Sequence, residues 1–209
     1  MISEPVDILR PPSFEPTGQI MPVIEAIEAG HWLGVMNLWL VRPNGIILYQ
    51  QRPQNGWEPG KLDGSVGGYY RAGESGLDGL REAQEELGWC CGEADARLLG
   101  RHLSVGVDSR GRERRLAVTV YMATCDVALT EFVLSKDEVP ALYEIPAQSV
   151  LSLFSFVGTT VLVRGIDCEG RPTERHISST DFSYVFGRYH EKIAHIASVY
   201  TAGQPIAYY

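Results

Sequence analysis

The stretch that decides the fold is Gly67–Trp89, which reads GGYYRAGESGLDGLREAQEELGW. It begins as a glycine-rich loop, and Ser75 followed three residues later by Asp78 is typical of the start of a helix. Gly88 stands where the left-handed residue that ends a helix is expected. These signals predict a loop followed by a helix from about residue 76 to residue 87.

Three carboxylates are predicted to share one face of this helix. At about 100° per residue, Glu82, Glu85 and Glu86 fall within an arc of about 100°. The apolar residues lie opposite: Leu77, Leu80, Ala83 and Leu87. Such crowded carboxylates repel one another unless a cation compensates them, and oxygen ligands suit Mg²⁺ or Mn²⁺. Arg81, one turn before Glu85, is placed to orient a carboxylate. A solvated acidic helix face is the alternative interpretation.

The same stretch resembles the Nudix box, whose pattern is G-x5-E-x7-R-E-U-x-E-E-x-G-U, with U an apolar residue. Gly68 and Glu74 match its first half at the correct spacing. The matches to its second half are Arg81, Glu82, Ala83, Glu85, Glu86, Gly88 and Trp89. In one departure, only residues 75–80 separate Glu74 from Arg81, six where the family has seven. This departure puts the placement of Glu74 in question but leaves the helix intact.

A weaker resemblance extends over roughly residues 4–155, to the isopentenyl-diphosphate-isomerase-like branch of the Nudix superfamily. Its N-terminal part consists of Glu4–Asp7, Thr17–Gly18, Glu25–Ala26 and Gly30–Trp32. Its second part consists of Leu48–Arg52 and Pro59–Asp63. The last 50 or so residues match nothing in this branch.

The resemblance implies an α+β fold, namely an α/β/α Nudix-like sandwich with a mixed β-sheet flanked by helices. We expect an N-terminal lead segment over residues 1–30 and a Nudix-like catalytic domain over 31–157. Residues 158–209 are predicted to add a C-terminal hairpin and helix that pack on the same domain.

Hydrophobic patterning predicts the other elements. Helices are expected at 23–29, from Pro146 onward, and at 181–200, the last with Tyr184, Val185, Tyr189, Ile193, Ile196 and Tyr200 on its apolar side. Strands are expected at 33–41, 46–51, 98–107, 116–125, 159–166 and 173–178, and residues 53–73 are expected to be a loop.

Nudix proteins typically hydrolyse a nucleoside diphosphate linked to another moiety. By this resemblance, Glu82, Glu85 and Glu86 would hold Mg²⁺ or Mn²⁺, with the Gly68 backbone nearby. The ions would neutralise pyrophosphate charge and activate a water molecule. The general base would be Glu85 or Glu138, and the alternative for Glu138 is an ordinary surface acid.

Substrate contacts are less specific in the sequence. Arg52, Lys61 and Arg71 are candidates to bind phosphate, although each could equally lie in solvent. Tyr69 is a candidate to stack on a base, as are the neighbouring aromatic residues Trp57 and Tyr70, and packing is the alternative for all three. Glu74 and Arg81 are expected to support the metal ligands.

Two other functions remain as alternatives. An isomerase of the same branch would use an early cysteine and a histidine-rich metal site. Here the first cysteine, Cys90, follows the box, and Asn37 occupies a strand position where that branch often has histidine. A non-catalytic ligand-sensing module is the second alternative. It is favoured by the shortened box loop, whereas retention of the helix carboxylates argues against it.

Composition narrows the class of protein. The 209 residues include 18 Lys+Arg and 26 Asp+Glu, giving a formal net charge of −8, which argues against a nucleic-acid partner. The uncharged stretch 145–163 contains too many polar residues for a membrane span, so no membrane partner is expected. Met1–Pro5 has no signal-peptide character, and the four cysteines form no CxxC motif, so we expect a cytoplasmic setting. A homodimer is left open.

Overall fold

The computed structural model describes residues 4–55, 57–107, 111–183 and 188–204. Its strands are β1 Pro5–Arg10, β2 Glu15–Pro22, β3 Trp32–Val41, β4 Ile46–Gln51, β5 Leu62–Asp63, β6 Val66–Tyr69, β7 Arg97–Val107, β8 Glu113–Thr124, β9 Ala141–Pro146, β10 Val161–Asp167 and β11 Pro172–Ile177. Its α-helices are α1 Val23–Glu28, α2 Arg81–Leu87, α3 Ala147–Ser155 and α4 Tyr189–Thr201.

Strand β3 is the centre of a single mixed sheet. The longest path of paired strands runs β11-β10-β9-β4-β3-β1-β2, with β5 on β4, β6 and β8 on β3, and β7 on β8. The pairing of β3 with β8 is parallel, from Trp32 opposite Arg115 to Val41 opposite Thr124. Its pairings with β1, β4 and β6 are antiparallel. The predicted mixed sheet is therefore confirmed.

Side chains alternate between the two faces of a strand, and β3 is buried on both. Trp39 and Val41 belong to a core with residues of α3 and α4. Leu38 and Leu40 belong to a second core, on the other face, with residues of α2. Each fully buried side chain of this kind contributes about 1.5–3 kcal/mol. Helices on both faces give the α/β/α sandwich that the sequence predicts.

Several predicted elements are confirmed: strands β3, β4, β7, β8, β10 and β11, and helices α1 and α3. The predicted turn between β7 and β8 lies partly outside the described residues, which exclude 108–110. The stretch 145–163 divides among β9, α3 and β10. Within the described part of the chain, no helix is long and apolar enough to cross a membrane.

Two segments carry strands that the sequence did not predict. The N-terminal lead contains the β1–β2 hairpin, and β1 joins the sheet through Ile8 opposite Leu33. The glycine-rich stretch 53–73 contains β5 and β6, and β6 pairs with β3 from Val66 to Tyr69. Both corrections have the same cause, because pairing with a neighbouring strand overrides weak local propensity. All three predicted segments contribute strands to this sheet, and their division stays a prediction.

Both helices for which the sequence predicts an apolar face, α2 and α4, begin later than expected. Residues Gly76–Leu80 form a 3₁₀ turn, so the α-helical wheel applies only from Arg81 onward. The last helix begins at Tyr189 rather than at residue 181, because Asp181 accepts a hydrogen bond from the Ser178 N–H and closes a separate turn. Tyr184 and Val185 lie outside the described residues.

We expect Gly88→Ala to destabilise the protein more than Gly170→Ala. Both glycines have left-handed backbones, with φ of 64° and 75°. A side chain there costs about 1–2 kcal/mol. Only at Gly88 would the new Cβ also meet a neighbour, lying 2.9 Å from Val133 Cβ. Val133 cannot easily yield, since its N–H donates to the Leu87 carbonyl. Urea unfolding should show about 1 kcal/mol of extra loss, and equal losses would contradict this.

Candidate active site

The site forms where helix α2 lies against the glycine strand β6. The Gly67 N–H donates a hydrogen bond to Glu86 Oε2 at 3.1 Å. A Cβ added to Gly68 would lie 2.1 Å from Glu82 Oε1. Because no side chain fits in that space, glycine allows the two acidic side chains to approach the strand.

Arg81 holds the carboxylates around it in place. Its Nε and Nη2 donate to the two oxygens of Glu74 at 2.8 and 3.1 Å. Its Nη1 donates to Glu82 Oε1 at 2.8 Å and to Glu85 Oε2 at 2.9 Å. The Tyr69 carbonyl accepts a further bond from Nη2. Partial burial alone would lower the pKa of Arg81. The carboxylates around it together outweigh this effect and hold the pKa above its usual value.

The segment between Glu74 and Arg81, one residue shorter than the Nudix pattern, contains the 3₁₀ turn. A 3₁₀ helix rises about 2.0 Å per residue against about 1.5 Å in an α-helix. Five residues, Gly76–Leu80, therefore cover about 10 Å instead of about 7.5 Å. Partial burial would raise the pKa of Glu74, yet the bonds from Arg81 and from the Arg71 N–H hold it below its usual value.

Two of the three helix carboxylates are buried, contrary to a face turned wholly to solvent. Glu82 and Glu86 are only 9% and 6% exposed. Burial raises the pKa of Glu82 to about 7, with Glu85 adding to the effect and Arg81 opposing it. Burial and the neighbouring Glu82 raise the pKa of Glu86 well above its usual value. The site therefore crowds two carboxyl groups whose ionised forms the protein alone compensates incompletely.

Glu85 is placed differently from its two neighbours. Its side chain is 42% exposed and forms ion pairs with both Arg81 and Arg71. Across residues 4–55, 57–107, 111–183 and 188–204, no group of three His, Cys, Asp or Glu side chains is arranged to hold a metal ion. The sequence predicts a cluster of three carboxylates. In the structure Glu82 and Glu86 are buried together, whereas Glu85 is held by two arginines.

The donor set nevertheless fits a hard divalent cation. Glu86 is buried and its carboxylate accepts the Gly67 N–H, while no Lys or Arg of the described ranges forms an ion pair with it. An ionised carboxylate in such a place requires a compensating charge. Glu82 lies beside it and brings carboxylate oxygens of the kind that Mg²⁺ and Mn²⁺ prefer.

An acidic cavity of about 550 Å³ opens over these carboxylates. Glu138, from the turn before β9, lies on its wall with the helix acids, although it is 52 positions beyond Glu86 in the sequence. Of the predicted site residues, the cavity brings together Arg52, Gly68, Tyr69, Glu82, Glu85, Glu86 and Glu138.

A second cavity, the aromatic cavity, adjoins the acidic one and measures about 210 Å³. The Arg114 guanidinium lies 4.3 Å from the ring centroid of Trp57 and donates to the Tyr69 hydroxyl at 2.8 Å. His102 and Tyr189 also line this cavity, and their rings stack at 4.8 Å. The two cavities share Gln50, Arg52, Gly67, Gly68 and Tyr69.

Sequence reasoning did not identify Arg114, His102 or Tyr189 as site residues. They come from β8, β7 and α4, and no motif links these parts of the chain. The available sign of a site was a charged or polar residue at alternating positions of a strand. Such residues are equally typical of a strand face that is exposed to solvent.

Three predicted substrate residues lie elsewhere. Lys61 Nζ donates to the Thr180 carbonyl, and Lys61 is absent from the walls described for both cavities. Arg71 pairs with Glu4 and Glu85, and it too is absent from these walls. Tyr70 packs in the core, with its hydroxyl donating to the Gly76 carbonyl, so its stacking on a ligand is not supported. Phosphate binding by Lys61 and Arg71 stays a prediction.

The architecture is the α/β/α sandwich of Nudix proteins. Among solved structures, DR0079 from Deinococcus radiodurans is similar, with a TM-score of 0.57 and 22% identity over 73% of this chain and 89% of that one. A MutT protein from Methanosarcina mazei Go1 gives a TM-score of 0.47 at 21% identity, covering 58% of this chain and 81% of that chain.

Sequence comparison supports the Nudix superfamily. An uncharacterized Nudix hydrolase from Clostridium acetobutylicum is 28% identical over an alignment of 130 positions that covers 58% of this chain. The match spans 60% of the length of that relative. No protein-family model matches the chain. The comparisons do not separate the isopentenyl-diphosphate-isomerase-like branch from other branches.

We expect Glu86→Gln to stabilise the metal-free protein at pH 8. Glutamine can still accept the Gly67 N–H but carries no charge to bury. Because the pKa of Glu86 is raised on folding, the wild type loses stability as pH rises above the unfolded value of about 4.3. The difference should therefore be about 1 kcal/mol or more at pH 8 and shrink towards pH 4.5, since one pKa unit corresponds to about 1.4 kcal/mol.

Urea unfolding in EDTA at several pH values measures this difference. Glu25→Gln is the matched control, because Glu25 lies exposed on α1. A Glu86→Gln variant that is less stable than wild type at pH 8 would contradict the interpretation of a strained, buried charge.

Proposed function

We propose that this protein is a Nudix hydrolase that uses Mg²⁺ or Mn²⁺ to cleave the pyrophosphate linkage of a small diphosphate, of nucleoside-diphosphate or other type. The observation that carries the proposal is the pair of buried carboxylates, Glu82 and Glu86, held against the glycine strand beside an open cavity. The Clostridium relative, named a Nudix hydrolase, supports the same function.

In this mechanism Glu82 and Glu86 would hold the cation, with Glu85 and the Gly68 backbone beside them. The cation supplies neutralisation of pyrophosphate charge and a more acidic water. Arg81 fixes Glu82 and Glu85 through its two charge-assisted bonds. Arg52 lines both cavities, and although its Nη1 pairs with Asp63 and its Nε donates to the Trp57 carbonyl, its place at their junction makes it our candidate to bind the phosphates.

We assign the general base to Glu138 rather than Glu85. Arg71 and Arg81 both form ion pairs with the Glu85 carboxylate, so its oxygens are already engaged and less available to contact a water molecule. Glu138 lies on the wall of the acidic cavity, exposed to solvent, where it can accept a proton from a water molecule and release it.

The aromatic cavity would take the organic part of the substrate. The rings of Trp57, Tyr69 and Tyr189 and the polar side chains of Arg114 and Asn37 line this cavity. A substrate whose diphosphate lies in the acidic cavity would pass Tyr69 and Gly68, which border both cavities. The size of the aromatic cavity favours a compact organic group.

Finer assignments follow from the sequence resemblance. We assign the chain to the isopentenyl-diphosphate-isomerase-like branch and keep the division into residues 1–30, 31–157 and 158–209. Isomerase activity is disfavoured, because none of the four cysteines lines either described cavity, and Asn37 is hydrogen-bonded to Val66 and Tyr189. A cytoplasmic location fits this assignment.

The test is a substrate panel with Mg²⁺ or Mn²⁺: nucleotide sugars, dinucleotide cofactors, coenzyme A, nucleoside triphosphates and isoprenyl diphosphates. We expect metal-dependent hydrolysis of at least one, reduced at least about 100-fold by Glu86→Gln and by Glu85→Gln. Glu25→Gln should retain activity. Phosphate release and product mass are the measurements.

Other outcomes of this panel would overturn the proposal. Activity that survives both substitutions would remove the site assignment. No hydrolysis, together with no cation bound in titration, would favour a ligand-sensing module. Double-bond migration in isopentenyl diphosphate without hydrolysis would establish an isomerase.

Glu138→Gln tests the general base separately. Loss of a general base lowers kcat by about 10²–10⁴-fold. We expect such a loss with little change in Mn²⁺ affinity, because Glu138 is not assigned to the cation. A Mn²⁺ affinity that falls in parallel with kcat would instead make Glu138 a ligand.

A further inference from the structure

The C-terminal helix α4 contributes Tyr189 to the wall of the aromatic cavity. The Trp39 indole Nε1–H donates to Tyr189 Oη at 3.0 Å, and Tyr189 Oη donates to Asn37 Oδ1 at 2.7 Å. Because an indole nitrogen can only donate, Tyr189 accepts from Trp39 and directs its own hydrogen to Asn37. This order also fixes the Asn37 amide, whose oxygen faces Tyr189.

The Asn37 amide also forms a hydrogen bond with the glycine strand β6. Its Nδ2 donates to the Val66 carbonyl at 3.2 Å. That carbonyl belongs to the same peptide group as the Gly67 N–H, which donates to Glu86 Oε2 at 3.1 Å. One peptide group therefore accepts from Asn37 at its oxygen and donates to the buried carboxylate at its nitrogen. Bonds in such a chain polarise and strengthen one another.

Packing holds Asn37 in this orientation. A Cβ on Gly64 would lie 2.3 Å from Asn37 Nδ2, and one on Gly67 would lie 3.1 Å from it. The Tyr189 ring is itself held by its stack on His102 at 4.8 Å. The Asn37 amide is therefore confined on the side of Gly64 and Gly67.

We propose that Tyr189 is a positioning residue for Glu86, acting through Asn37 and the Val66–Gly67 peptide group. In this proposal the Tyr189 hydroxyl, 103 positions beyond Glu86 in the sequence, sets the direction of the Gly67 N–H that donates to the Glu86 carboxylate. The C-terminal segment becomes part of the site rather than an appendage. The role of Glu86 towards a cation rests on the proposed function, whereas the coupling of Tyr189 to the glycine strand does not.

Tyr189→Phe tests the proposal, because it removes the hydroxyl and keeps the ring. In metal-free protein, amide hydrogen exchange of residues 62–69 should accelerate about 5- to 10-fold, while strand β10 stays within 2-fold of wild type. Mn²⁺ affinity should fall about 3- to 10-fold, less than for loss of a direct partner of a ligand.

Tyr49→Phe is the matched control. Tyr49 lies in the same core and contacts the same Trp39, but its buried hydroxyl has no hydrogen-bond partner in the described structure. Its exchange pattern and Mn²⁺ affinity should match wild type. Acceleration spread equally over the whole chain in Tyr189→Phe would show a merely structural role and overturn the proposal.

The Asn37→Ala variant completes the test. If Tyr189 acts through Asn37, the double variant should accelerate exchange at 62–69 no more than Asn37→Ala alone. Additive effects, or a Tyr189→Phe variant that leaves this exchange within 2-fold of wild type, would overturn the coupling. A wild type that binds no Mn²⁺ would reject the proposed function while the exchange measurements still decide the coupling.

Discussion

The ion pairs of Arg81 are the interaction on which the site depends. One guanidinium joins Glu74, which precedes the helix, to Glu82 and Glu85 within it, and also binds the backbone of Tyr69. Carboxylates this close would otherwise repel and separate. Arg81 therefore connects the loop, the strand and the helix, and it leaves Glu86 as the buried acid without an arginine of its own among the described residues.

Local patterns predicted much of this structure. The helix that carries Arg81, the central strand β3 and the outer hairpins follow from periodicity and from glycine at helix ends, which depend on neighbours in sequence. The β1–β2 hairpin and β6 were missed because they exist through pairing with other strands. Tyr189 and Asn37 are 152 residues apart, and no local pattern could indicate their hydrogen bond.

The side chains of the central strand β3 alternate between the two faces of the sheet, and they contribute to both the core and the site. Met36, Leu38 and Leu40 support the face that receives α2, while Trp39 and Val41 support the face that receives α4. Asn37 interrupts this apolar sequence and lines the aromatic cavity. A polar residue in a buried strand is costly unless its hydrogen bonds are made. Here its amide oxygen and nitrogen both have partners.

The 3₁₀ turn before α2 shows what a sequence motif constrains. The bidentate contact between Glu74 and Arg81 requires that the two residues lie at a suitable distance in space. The number of residues between them matters less. Changing the pitch of a short helical turn converts a deletion of one residue into a change of winding. A chain of this fold can therefore lose a residue at this place and keep its ion pair, where a rigid α-helix would turn Arg81 by about 100°.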